Sequence, residues 1–175
     1  MNPVAFEIAG MQIRWYGIII ACGVLAAFGV TYITAKKKEL DFDVIIDGFL
    51  WSFPLAIVGA RIYYVAFEFK NYHSIWDMIN IRNGGIAIHG GLIGGILTAY
   101  IFTRVKKVNF FEYIDVIMPG VILAHAIGRW GNFMNQEAHG RPVTEAFISK
   151  FPEFIQNGMI IKGKYYHQTF LYESI

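Results

Sequence analysis

The stretch VIMPGVILAHAIGRWGNFMNQEAHG, residues 116–140, decides the fold. Its first half is apolar and typical of a helix that crosses a membrane, and we expect that helix to end at residue 128. Directly after it come Arg129, amide side chains, a carboxylate and an imidazole. An unpartnered charge in lipid costs about 2.5 to 3.5 kcal/mol, so such a cluster normally faces a cavity, a lipid headgroup or a partner. The stretch therefore predicts a polar site at the edge of a membrane.

The composition also indicates a membrane protein. Of the 175 residues, 55% are hydrophobic and 16% are charged, whereas a soluble domain has about 25% charged residues. The net charge of +2 is too small to indicate a nucleic-acid partner. The single cysteine, Cys22, excludes an intrachain disulfide within these residues, and we expect it to be a small buried hydrophobe. No histidine pair has the spacing of zinc ligands, so no metal is predicted.

Four apolar segments follow one another, at residues 15–35, 44–66, 84–103 and 110–128. Each is long enough to cross a hydrocarbon core of roughly 30 Å, which takes about 20 helical residues. No basic region precedes the first segment and three lysines follow it, so we expect a retained helix rather than a cleaved signal peptide. The predicted fold class is all-α: a polytopic integral membrane helix bundle, formed as a single domain over residues 1–175.

The basic residues of the short loops predict the orientation, because cytoplasmic loops are enriched in lysine and arginine. Residues 36–43 and 104–109 each hold three of these residues, whereas the loop of residues 67–83 holds only Lys70 and Arg82. The amino terminus is therefore expected outside. The fourth span then returns the chain to the outer face.

The segment that follows the fourth span, residues 129–166, mixes polar residues with short apolar runs. Its prolines and glycines favour turns or a hairpin over a further span. We expect a small extracytoplasmic cap there. Residues 167–175 are then expected to begin a fifth span, although they are too few to cross a bilayer.

The third segment carries the run HGGLIGG, residues 89–95. Its glycines are spaced four apart and permit close approach of another helix. His89 has two interpretations: a structural imidazole with a hydrogen-bond partner, or a base, since imidazole titrates near neutrality. Arg61, in the second span, either extends to the interface or meets a lipid phosphate. His125 lies four residues before Arg129 and either packs or supports it.

Five motifs occur in one order along the chain: Arg14-Trp15-Tyr16-Gly17, Gly59-Ala60-Arg61, the glycine run after His89, Gly128 to Gly140, and His167-Gln168-Thr169-Phe170-Leu171-Tyr172-Glu173. Together they resemble the prolipoprotein diacylglyceryl transferase family. The stretch at 128–140 resembles that family's signature, G-R-W-G-N-F-x-N-x-E-x-x-G. The resemblance covers nearly the whole chain.

The resemblance implies a transferase of lipoprotein biosynthesis in the bacterial cell membrane. Its substrates would be phosphatidylglycerol and the lipobox cysteine in the signal peptide of a prolipoprotein. The reaction would be the first step of lipoprotein maturation. Membrane lipid would be a further partner, and no cofactor would be needed. Positions that match catalytic or substrate-binding residues of the family are Tyr16, His89, Arg129, Asn132, Glu137 and Gly140, with Arg61, Gly90 and Gly91 as further candidate substrate-binding residues.

The chemistry implied by the family suits these residue types. The attacking species is a thiolate, and a free cysteine with a pKa of about 8.5 is mostly protonated at neutral pH, so His89 is the candidate base. Negative charge develops on the departing phosphate, and Arg129 offers a planar pair of donors for it. Asn132 adds an amide donor, and Tyr16 orients the headgroup or the thiol.

The sequence departs from the family in length. Members have further spans and a second essential arginine in a later loop, whereas this sequence reaches only Ile175. Two explanations are open: a fragment of a longer protein, or an inactive truncated relative. A rival function is also open, namely a non-catalytic membrane module that binds phospholipid headgroups through Arg61 and Arg129.

Overall fold

A computed structural model describes residues 1–8, 10–72, 74–81 and 84–175 of the chain. It is mostly helical, and four helices are long and apolar enough to cross a membrane: α1 (Trp15–Lys37), α2 (Phe42–Phe67), α4 (Ile88–Lys106) and α5 (Phe110–Asn135). The prediction of a multi-pass membrane protein with four spans is confirmed. The basic residue Arg82, used above for the orientation, lies outside the described residues.

The shorter elements connect or cap these helices. A hairpin precedes α1, and the connection between α2 and α4 contains a 3-10 turn and a short helix. The remaining elements follow α5. The shorter elements are β1 (Val4–Ile8), β2 (Met11–Arg14), α3 (Ile75–Ile79), β3 (Pro142–Val143), α6 (Glu145–Ile148), α7 (Glu153–Gly158), β4 (Ile160–Ile161), β5 (Lys164–Tyr166) and α8 (Thr169–Ser174).

The chain divides into two compact units. The first unit comprises Met1–Thr34 and Val116–Ile175, and the second comprises Ala35–Asp115. In the first unit α1 packs closely on α5. A Cβ placed on Gly120 would lie 2.6 Å from the carbonyl oxygen of Ala27, so only glycine permits this approach. The Thr34 hydroxyl also donates a hydrogen bond of 2.7 Å to the Val116 carbonyl.

The segment after α5 folds around a small apolar core. The buried members of that core are Phe133, Ile148, Ile155, Met159 and Phe170. Three short strands form a sheet in the order β3-β5-β4, with both pairs antiparallel. The tight turn between β4 and β5 has φ of +50° at Lys162 and +77° at Gly163, as in hairpin turns with two left-handed residues. The predicted turns and hairpin are confirmed.

The second unit is built on α2 and α4, which run antiparallel. A Cβ on Gly59 would lie 2.6 Å from the carbonyl oxygen of Gly90 and 3.2 Å from the Cα atom of Gly94. Nearer the other end of the helix pair, Lys106 forms an ion pair of 2.9 Å with Asp47. The predicted glycine packing is therefore confirmed, because these positions have no room for a side chain.

Two helix boundaries differ from the sequence prediction by four residues or more. The third long helix begins at Ile88 rather than at residue 84, because Gly84 and Gly85 adopt φ of +82° and +80°, which no α-helix contains. The fourth continues to Asn135 rather than ending at residue 128, and Gln136 then adopts a φ of +54°. The expectation that Arg129 follows this helix was wrong, because Arg129 lies within its last two turns.

The long helices expose apolar side chains that lipid covers in a membrane. Leu50 and Trp51, for example, are 62% and 63% exposed. Cys22 is also exposed, so the expectation of a buried cysteine was wrong. The reason is that its neighbour Gly23 is the residue that faces Ala124 of α5. In a membrane, a small apolar side chain is accommodated equally well when it faces the lipid and when it is buried in the protein.

Candidate active site

Arg129 lies near the end of α5, and its side chain is 12% exposed. Its Nη1 donates a hydrogen bond of 2.7 Å to Oδ1 of Asn132, one helical turn further on. Its Nη2 makes only long contacts, at 3.3 Å to the Ala138 carbonyl and 3.4 Å to the Thr169 hydroxyl. Because long hydrogen bonds are weak, Nη2 can exchange these two contacts for a hydrogen bond to a stronger acceptor.

Glu173, on α8, supplies the counter-charge of Arg129. Its Oε2 lies 2.9 Å from Nε of Arg129, without hydrogen-bond geometry, and 3.9 Å from Nε2 of His125. His125 and Arg129 thus share one carboxylate, in line with their spacing on the helix. Glu173 belongs to a motif noted in the sequence but was not named among the site residues. A partly buried arginine needs a carboxylate or carbonyl partner, and that need was the available signal.

The amides around Arg129 form a network with Glu137. Oε1 of Glu137 accepts from Nδ2 of Asn132 at 3.3 Å and from Nδ2 of Asn135 at 3.1 Å. Asn132 therefore accepts from the arginine through its oxygen and donates to the carboxylate through its nitrogen. This chain of contacts fixes the orientation of the Asn132 amide beside Arg129.

Gly140 lies where the chain passes close to the segment before α8. Its N–H donates to the His167 carbonyl at 3.1 Å, and a Cβ at this position would lie 2.6 Å from Cβ of His167. The neighbouring Thr169 hydroxyl donates to the Ala138 carbonyl at 2.7 Å. Glycine at residue 140 thus lets the stretch after α5 dock against Thr169, beside the Arg129 guanidinium.

Tyr16, in the first turn of α1, packs on α5 next to the same cluster. A Cβ on Gly131 would lie 2.9 Å from Cδ2 and 3.2 Å from Cε2 of the Tyr16 ring. The aromatic ring therefore rests on the bare backbone of Gly131, two residues after Arg129. The first unit brings together five of the predicted site residues, namely Tyr16, Arg129, Asn132, Glu137 and Gly140.

The other predicted site residues belong to the second unit. His89 lies exposed in the first turn of α4, with its ring centroid 6.0 Å from that of Tyr63. The neighbouring Gly90 is buried, and a Cβ there would overlap Cβ of Tyr63 and the Gly59 carbonyl oxygen. Gly91 is less confined, with Ala56 and Ala60 atoms at 3.6 Å. Close helix packing therefore accounts for Gly90 by itself.

Arg61 is bonded quite differently from Arg129. A guanidinium has five N–H donors, and those of Arg61 donate to backbone carbonyls at 2.6 to 2.9 Å. The carbonyls are those of Asp77, Met78, Asn80, Gly84 and Gly85. This arrangement leaves Arg61 no donor for a phosphate, whereas Arg129 keeps a weakly bonded edge.

The geometry around Arg129 suits the binding of an anionic oxygen pair. The guanidinium has one short hydrogen bond, two long ones and one carboxylate contact. A phosphate or carboxylate can replace the long contacts with two parallel charge-assisted bonds, which are about twice as strong as neutral ones. The amide of Asn132 and the hydroxyl of Thr169 stand beside that edge.

Comparison with known proteins gives a family and several relatives. The family model described as prolipoprotein diacylglyceryl transferase matches residues 3–175. Phosphatidylglycerol-prolipoprotein diacylglyceryl transferase 1 of Clostridium perfringens is 67% identical over 175 residues, covering 100% of this chain and 67% of the relative. The transferases of Clostridium botulinum and Clostridium kluyveri are 55% and 57% identical over 176 residues, covering 100% of this chain and 69% of each relative.

Proposed function

Because this chain belongs to the prolipoprotein diacylglyceryl transferase family, we propose that it moves a diacylglyceryl group from phosphatidylglycerol to a prolipoprotein. The acceptor is the thiol of the lipobox cysteine in the signal peptide. Its sulfur bonds to the glycerol carbon that bears the phosphate ester, the carbon–oxygen bond breaks, and glycerol phosphate leaves. The thiol proton passes to a base. The reaction is the first step of lipoprotein maturation.

The observation that carries this proposal is the bonding of Arg129. A partly buried arginine with a weakly bonded Nη2 edge is suited to hold the phosphate of the lipid. As the ester bond breaks, charge grows on that phosphate, and the guanidinium stabilises it more than it stabilises the substrate. We assign this role to Arg129 rather than to Arg61, whose donors are all engaged.

The neighbours of Arg129 complete the proposed substrate site. Asn132 orients one edge of the guanidinium and, with Glu137, forms the polar wall beside it. Gly140 allows the wall to close against Thr169. Tyr16, with its ring resting on Gly131, orients the lipid headgroup or the incoming thiol through its hydroxyl.

His89 is the proposed base that takes the thiol proton. Its exposed position in the first turn of α4 leaves the imidazole accessible to a substrate at the surface of the second unit.

We place the protein in the bacterial cell membrane, with its amino terminus and the segment after α5 outside. The distribution of lysine and arginine supports this orientation, and it gives the site the outer leaflet as its source of lipid.

A transfer assay tests the function directly. The complete gene product in lipid nanodiscs would receive phosphatidylglycerol with a labelled headgroup and a lipobox peptide. We expect the peptide to gain one diacylglyceryl mass for each glycerol phosphate released, and a peptide with serine in place of the cysteine to gain none. Saturable phosphatidylglycerol binding with no product from any peptide would contradict the enzyme and favour a lipid-binding module.

A further inference from the structure

Arg61 is a charged residue inside a membrane-spanning helix, and only 8% of it is exposed. Such a residue needs partners for its charge and for each N–H donor. All five donors find backbone carbonyl oxygens, and the longest of these hydrogen bonds is 2.9 Å. The side chain is therefore fully engaged with its own protein.

Two of the five acceptors, Asp77 and Met78, lie in α3, and the other three, Asn80, Gly84 and Gly85, lie in the chain between α3 and α4. The backbone of this segment is shaped to the guanidinium. Gly84 and Gly85 adopt left-handed φ values of +82° and +80°, and a Cβ on Gly85 would lie 2.5 Å from Nη1 of Arg61. The same Cβ would lie 2.9 Å from Cε1 of Tyr64. Gly85 is thus required for the close fit.

The segment held by Arg61 leads directly into the first turn of α4. The Ala87 N–H, just before the helix, donates to the Ala60 carbonyl at 3.1 Å. Two residues beyond, His89 lies with its ring against that of Tyr63. Ala60, Arg61 and Tyr63 of α2 therefore hold the chain that leads into α4, up to and including His89.

We propose that Arg61 is a positioning residue. It clamps the carbonyls of Asp77, Met78, Asn80, Gly84 and Gly85, fixes the start of α4, and thereby sets the location of His89; it does not bind lipid phosphate. The expected effect on turnover rests on the proposed function, whereas the clamp itself does not. A lysine at this position keeps the positive charge but has three donors and no planar fork, so it cannot hold five carbonyls.

Hydrogen exchange measured by mass spectrometry tests the clamp without reference to activity. The complete gene product in nanodiscs would be compared with Arg61→Lys, Gly85→Ala and the control Arg104→Lys. Arg104 is exposed and donates to the Tyr100 hydroxyl. For both clamp variants we expect amides of residues 77–81 and 84–88 to exchange about tenfold faster or more, as the loss of charge-assisted hydrogen bonds implies. The control should exchange at the parental rate.

Kinetics separate the clamp from a phosphate ligand. A clamp that positions His89 predicts that Arg61→Lys and Gly85→Ala lower kcat while KM for phosphatidylglycerol changes by less than about twofold. Unchanged exchange in Gly85→Ala, or a raised KM with unchanged exchange in Arg61→Lys, would overturn the proposal. If Arg61→Lys does not fold, Gly85→Ala decides, because it keeps the guanidinium. If the parental protein lacks transferase activity, the exchange data still decide on the clamp.

Discussion

Gly131→Ala tests the contact between Tyr16 and the Arg129 cluster most sharply. The added Cβ would lie 2.9 Å and 3.2 Å from two carbon atoms of the Tyr16 ring, whereas carbon atoms pack at about 3.5 to 4.0 Å. The ring must therefore withdraw by about 0.6 to 1 Å. Misplacement of a catalytic group by about 1 Å costs up to about 10²-fold in rate, so we expect turnover to fall by about 10- to 100-fold.

Folding is not expected to account for that loss. In a helix alanine is more favourable than glycine by about 1 kcal/mol, which offsets strain at the ring. Gly17→Ala is the matched control: among the described residues nothing lies within 4 Å of a Cβ at that position. Initial rates per folded molecule would be measured in the transfer assay. Parental turnover by Gly131→Ala, or an equal loss in Gly17→Ala, would show that the contact between Tyr16 and Gly131 does not control turnover.

Three further predictions concern the membrane topology, His89 and Glu173. For topology, single cysteines at Lys37→Cys and Asn157→Cys in a Cys22→Ala background should label from opposite sides with an impermeant reagent; labelling of both from outside would contradict the orientation. His89→Gln should lower turnover by about 10² to 10⁴, with partial recovery at higher pH as more peptide thiol ionises; pH-rate profiles that superimpose on the parental one would exclude the base. Glu173→Gln removes an ion pair whose carboxylate is 50% exposed, so we expect turnover in the transfer assay to fall by up to about fivefold. Glu173→Asp keeps the charge and should lose less. A fall in turnover beyond about 10²-fold would mean that Glu173 takes a direct part in the reaction.

The four spans were predictable because length and apolar character alone decide what crosses a bilayer. The same criterion gave the wrong end for α5. Apolar residues mark the part of a helix that lies in lipid, whereas the helix itself ends at Asn135, just before Gln136 adopts a left-handed φ of +54°. The close packing of α2 and α4 was predictable from the glycine spacing, since small residues four apart form one face.

The site was predictable in its residue types and less so in its partners. Arg129, Asn132 and Glu137 are close in sequence, and their contacts follow from helical spacing. Glu173 meets Arg129 only because the chain returns from the sheet past Gly140, a long-range contact that no local pattern indicates. The bonding of Arg61 was equally hidden, because its acceptors are backbone carbonyls and every residue type has one.

Arg129→Lys tests whether the Arg129 guanidinium holds the phosphate that leaves. Lysine keeps the charge but lacks the fork that binds two oxygens. The measurement is glycerol phosphate release per folded molecule for Arg129→Lys, beside the control Arg141→Lys at an exposed position. We expect release to fall by about 10²- to 10³-fold in Arg129→Lys, as for removal of a transition-state donor, and to stay near the parental rate in Arg141→Lys. Release at the parental rate by a correctly folded Arg129→Lys protein would show that the Arg129 guanidinium is not the phosphate ligand.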